Sequence, residues 1–298
     1  MSLSKEEQLW EAATEGDLEI VKKLAKDPSV NLNFRDSELG RAPFYRACGH
    51  GRTGVVAHLL TNPRLDPNLV NSEGATPFCI ACSTGHTEVV ALLLGDPRIN
   101  VNQTWSNNGT PLWLAAQDGF LLVVQHMLAS GRNIDTTVVS TWNSKTAAEQ
   151  ARAMGIREQK ASHETEEDFQ RSHSNGSAIA DLLDKYDSEP ERVRRELRQL
   201  PGVRKTFIGH VFALVVFFTD DFVRTKGSPI LRWFTSSKTD AQRQLVTNAR
   251  RFFVICSKLP LELQMVVCCR MYGSGENIVL STHSEPGFQL LARPSSWH

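Results

Sequence analysis

The chain is 298 residues long, enough for one large core or two domains, and its 33 basic and 33 acidic side chains balance, with a pI near 7.1. That balance and the lack of a basic block give no support to nucleic-acid binding. The opening MSLSKEEQLW has no apolar signal-peptide core, and the longest apolar run, 207–218, contains His210 and is too short to cross a bilayer. It reads as a buried helix. The six cysteines, Cys48, Cys79, Cys82, Cys256, Cys268 and Cys269, show neither a disulfide framework nor a completed zinc spacing. A reduced, intracellular chain is expected, cytoplasmic with the nucleus left open, without a metal site or a membrane partner.

In chain order, residues 5–35 contain LWEAATEGDLEIVKKL, two short helices broken at Gly16, with a polar outer face. Residues 36–70 restart at Gly40-Arg41-Ala42-Pro43-Phe44-Tyr45, where Ala42 stands at a helix N-cap and gives a weak one. Residues 71–104 form the most regular unit. Gly74 supplies a turn, Thr76 an N-cap, and Pro77 sits at the first helical position, where its missing N–H costs nothing. Gly85 suits a left-handed cap, and Val89, Val90, Leu93 and Leu94 share a face of the next helix. Gly95-Asp96-Pro97 stops it. Cys79-Ile80-Ala81-Cys82 has a C-x-x-C form, but it lies where small side chains let neighbouring helices pack closely. Residues 105–138 repeat the plan with Gly109-Thr110-Pro111-Leu112-Trp113, where Trp113 is placed for packing.

Helix-ending glycines at Gly16, Gly51, Gly85, Gly119 and Gly155 are separated by 35, 34, 34 and 36 residues. Four of them precede an apolar pair, Ile20-Val21, Val55-Val56, Val89-Val90 and Val123-Val124, and a further apolar site, Leu24, Leu59, Leu93 and Met127. This pattern resembles the ankyrin repeat, whose period is about 33 residues. The resemblance implies an all-α fold: an ankyrin-repeat solenoid of helix-turn-helix units with β-turn fingers, followed by a helical C-terminal region. It also implies a structural hydrogen bond between repeats from His86.

The fifth unit departs from the pattern. Residues 145–155 give a degenerate first helix, 156–177 read as a charged insertion containing His163 and His173, and a second helix resumes at Ala178. The repeats are assigned to 1–187 and a helical region to 188–298. In that region Leu259-Pro260-Leu261-Glu262-Leu263 resembles the opening of an F-box, which implies an adaptor role in ubiquitin ligation through a helix at 259–271.

No catalytic constellation appears: Gly273-Ser274-Gly275 lacks the length and lysine of a phosphate loop, and there is no nucleophile elbow or His-Glu-x-x-His. The chain is therefore read as non-enzymatic, without catalytic residues, cofactor or small-molecule substrate; an unrecognised activity in the C-terminal region is the remaining alternative. The ankyrin resemblance implies a protein partner, of a kind the residues do not identify, held on the concave surface. By register the binding positions on the fingers are Glu38, Leu39, Arg41, Glu73, Trp105, Asn107, Asn108, Trp142 and Asn143, and those at helix ends are His50, Ser83, Thr84, Gln117 and Asp118. Trp105 and Trp142 are the expected anchors, since tryptophan at a turn tip has little core to enter.

Overall fold

The computed structural model describes residues 3–106, 108–162 and 164–203. Among the described residues every regular element is a helix. Five first helices, α1 (Lys5–Glu15), α3 (Pro43–Gly49), α5 (Pro77–Ser83), α7 (Pro111–Gln117) and α9 (Ala147–Ile156), pack side by side in one layer. Behind them α2 (Leu18–Lys26), α4 (Thr53–Leu60), α6 (Thr87–Leu94) and α8 (Leu121–Ala129) form a second layer, each packed on its own partner and on the next helix along. The chain closes this layer with α10 (Glu166–Ser188) and α11 (Pro190–Leu197).

Short helices need their ends satisfied, and the sequence supplies this repeatedly. Thr76, Thr110 and Thr146 accept from the backbone N–H three residues on, at 3.1, 3.1 and 3.3 Å. Ala42 makes no such bond, although its backbone (φ −81°, ψ 159°) matches that of Thr76 (φ −84°, ψ 163°). Gly16, Gly51, Gly85 and Gly119 all have positive φ, between 66° and 91°. Gly155 does not: it lies inside α9, so the fifth rung of the glycine ladder is not a cap.

Between the layers lies a continuous apolar core. Val55, Val56, Val89, Val90, Val123 and Val124 are all buried, as are Leu59, Leu93 and Met127. Ile20 is the exception at 43% exposed. Cys48, Cys79 and Cys82 are buried free thiols; Cys79 donates to Gln103 O, and Cys82 Sγ lies 4.0 Å from Met127 Sδ.

Two polar ladders tie each unit to the next. Arg64, Arg98 and Arg132 reach back to the last turn of the preceding outer helix, donating to the carbonyls of Ala25 (2.7 Å), Leu60 (2.7 Å) and Leu94 (3.3 Å). A cation there also meets the negative end of the helix dipole. Asn33, Asn68 and Asn102 donate to the carbonyls of Arg64, Arg98 and Asn133 and accept from the N–H groups of Asp66, Asn100 and Asp135. His86 Nε2 lies 3.0 Å from Gly49 O, the inter-repeat contact that the family pattern implies.

The charged segment 156–177, expected as a solvated loop or a frayed helix extension, is mostly a capped and packed part of a helix. Only 157–165 connects helices; Thr165 caps α10 by accepting from Asp168 N at 3.1 Å, and the helix starts at Glu166 rather than at Ala178. Its buried stripe is Ser172, Gly176, Ile179, Ala180, Leu183 and Tyr186. The first two rungs are small rather than apolar, so no hydrophobic period marks them. Ser172 lies against Gly119, where a Cβ would fall 2.5 Å from Ser172 Cα. Asn175 donates to Gly119 O at 2.8 Å. Beyond α11, Arg198 Nε donates to Ala129 O at 2.8 Å, completing at α8 the arginine ladder that the regular repeats began.

The chain divides into two units, Met1–Arg198 and Gln199–His298, and α11 lies in the first of them, packed on α8 and α10. No described helix is long and apolar enough to cross a membrane. Asn107, His163 and His210, the run 207–218, the F-box-like helix 259–271 and Cys256, Cys268 and Cys269 lie outside the described residues.

Candidate protein-binding surface

The finger that precedes α9 is held by its own backbone. Ser140 N donates to Lys145 O at 3.1 Å, Ser144 N to Ser140 O at 2.9 Å, and Ser144 takes a positive φ of 56°. Trp142 N donates to Ser140 Oγ at 3.2 Å, and this turn holds the Trp142 side chain outward, 68% exposed. One ring contact steadies it: Trp113 meets it edge-on, with centroids 6.3 Å apart and planes at 80°. Trp113 itself is buried and donates from Nε1 to Lys145 O at 3.1 Å, so it packs while Trp142 faces solvent.

Trp142 stands beside a hollow of about 550 Å³. Four other residues expected from the sequence line it, Ser83 and Thr84 at the end of α5 and Gln117 and Asp118 at the end of α7. The opposite wall was not foreseen: Arg157, Glu164, Asp168 and Arg171 come from the connection and first turns of α10, with Met154 and Phe120 adding apolar surface. The sequence does carry a signal for this wall, because Thr165-Glu166-Glu167-Asp168 matches a helix-opening [ST]-x-x-[DE] pattern. Such an opening puts Arg171 one turn after Asp168.

The wall is electrostatically organised. Arg171 donates through Nε to Asp118 O at 2.9 Å and through Nη2 to Asp168 at 2.6 Å, and its guanidinium lies 4.2 Å from the Phe120 ring centroid. Hydrogen bonds from Thr165 and Arg171 hold the Asp168 carboxyl below its ordinary range. Arg157 pairs with Glu164 and donates to Ser172 Oγ at 3.0 Å. Burial works to raise the Glu164 carboxyl, but Arg157 and the Ala161 N–H outweigh it and bring the carboxyl down. Asp118 moves the other way. Burial pushes its carboxyl up to about 6, and the Gln117 side chain and the Arg171 charge offset that only in part. Gln117 Oε1 and Arg157 Nε are buried without hydrogen-bond partners among the described residues.

The remaining expected residues are dispersed. Glu38, Leu39 and Arg41 sit on the second finger, where Arg41 pairs with Asp36 (3.1 Å) and Glu38 (3.4 Å). Glu38 borders a smaller hollow of about 270 Å³ with Trp10 and Phe34. His50 is exposed at the end of α3 and Glu73 on the third finger, neither lining the larger hollow. Asn108 and Asn143 are used internally: Asn108 donates to Val139 O at 2.8 Å and Asn143 to Gln150 Oε1 at 2.7 Å, each bracing a finger. Trp105 is half-buried, its backbone closing the fourth finger through Gly109 O at 3.0 Å.

Two layers of short helices at a regular period, with fingers projecting from one edge, define a helical-repeat solenoid. Residues 9–104 and 56–138 match the family described as Ankyrin repeats (3 copies). This part of the chain is an ankyrin-repeat stack, and the repeats make it a protein-protein interaction module. No curated protein matches the chain.

Proposed function

We propose that this chain holds a partner protein in the hollow between the ends of α5 and α7 and the wall built by α10, with Trp142 as its anchor. The carrying observation is that Trp142, 68% exposed, stands over the same hollow that Ser83, Thr84, Gln117 and Asp118 line. Large aromatic side chains beside a concave surface dominate binding energy when a partner covers them. The buried, reduced thiols of Cys48, Cys79 and Cys82 support the cytoplasm as the place of action.

The test is co-purification of partners from the native cell with wild-type protein and with Trp142→Ala. Loss of a partner from the variant, with its thermal melt unchanged, supports the assignment. Equal recovery from both sinks it.

A further inference from the structure

We propose that the hollow selects a lysine or arginine side chain of the partner, setting its charge against Asp118 and its stem along Trp142. This rests on the hollow being the docking surface and names the residue class it takes.

The argument is one of unmatched hydrogen-bonding capacity. The two guanidinium charges that line the hollow are each already paired, Arg171 with Asp168 and Arg157 with Glu164, and Arg171 also donates to Asp118 O and Arg157 to Ser172 Oγ. The hydroxyls of Ser83 and Thr84 donate to Ile80 O, at 3.1 and 2.7 Å, which leaves their lone pairs outward. At the ends of α5 and α7 the unmatched groups are therefore acceptors. Gln117 Oε1 is buried and unpartnered, and the Asp118 carboxylate receives Gln117 Nε2 at a long 3.3 Å. Among the described residues no cation lies within 4.0 Å of that carboxylate.

A group that complements two acceptors, a desolvated carboxylate and an exposed indole face is a cation on an apolar stem. A carboxylate or phosphate would meet Asp118, Glu164 and Asp168. A buried donor in the same hollow, Arg157 Nε, complements a main-chain carbonyl of the same segment, so the occupant is a basic residue within a peptide rather than a free cation.

The experiment uses the full-length chain to select binders from a displayed library of random twelve-residue peptides, followed by affinity measurement on the synthesised peptides. Recovered peptides should share one Lys or Arg position. Replacing that residue with Met should weaken binding by about tenfold or more, and Asp118→Asn should do the same, with the two losses non-additive in a double-mutant cycle. Gln117→Met, which removes the unpartnered acceptor, is a second variant expected to act in the same direction. Peptides that need Trp142 but share no basic position, or that bind the Asp118→Asn protein unchanged, overturn the cation subsite and leave the docking surface standing. Binding indifferent to Trp142→Ala as well, or recovery of no peptide at all, overturns both.

Discussion

Gly155 and Gly176 cross with no side chain between them: a Cβ built on Gly176 would lie 2.6 Å from Gly155 N and 2.8 Å from Gly155 Cα. The contact joins α9 to α10 and lets the charged half of α10 reach the end of α7. Gly176→Ala therefore drives a methyl into backbone that has no flexible end to yield. A loss of about 1–3 kcal/mol is expected, read as a lower urea midpoint. An unchanged midpoint would mean that the two helices separate freely.

Ala42 has the backbone of a capped position without the cap. Ala42→Thr should gain roughly 0.5–1 kcal/mol, and Thr76→Ala should lose a similar amount. Paired thermal melts check both signs.

Asp118 gives a pH-dependent forecast. Its carboxyl ordinarily titrates near 3.8 and is raised to about 6 here, so between those values the folded chain binds more protons than the unfolded one. Stability must then fall as pH rises through that window and stay lower above it. Asp118→Asn removes the charge; at pH 7.5 it should be more stable than wild type by about 1–3 kcal/mol, with the gain vanishing below about pH 4. Denaturant melts at several pH values would show this. A variant that is more stable yet binds less would mark Asp118 as a residue kept for function.

Arg198 holds the end of α8 through Ala129 O. Arg198→Ala should cost about 1–2 kcal/mol and speed amide hydrogen exchange in the last turn of α8 and in α11 while leaving α2 to α6 unaffected. Uniform acceleration along the whole stack would contradict a local role.

The regular units were legible because each physical requirement of a short helix repeats in the residues. Thr-Pro opens it, glycine closes it, and the apolar pairs recur about every 34 positions. Gly85 shows how directly this reads, with φ 74° and the Phe120 ring filling the space a Cβ would need. Where packing rests on small residues the signal vanishes, so Ser172 and Gly176 left the start of α10 looking solvated and hid the wall of the hollow. Gly155 looked like another cap because sequence shows glycine without showing whether it provides a turn or a close approach. Of the proposed site, Trp142, Ser83, Thr84, Gln117 and Asp118 follow from repeat register. Asn108 and Asn143, expected by register on the binding face, brace their fingers through internal hydrogen bonds, since a short amide suits a partner and a neighbouring finger equally well.

The arginine ladder also gives the stack a direction in time. Each of Arg64, Arg98 and Arg132 bonds a carbonyl 38 or 39 residues behind it, so an outer helix emerging from the ribosome keeps an open last turn until the next unit has been made. Every intermediate length therefore ends in an unfinished surface that only further synthesis can close. At Arg198 that sequence of waiting ends, and the last outer helix of the regular repeats is sealed by a residue from outside the repeat pattern.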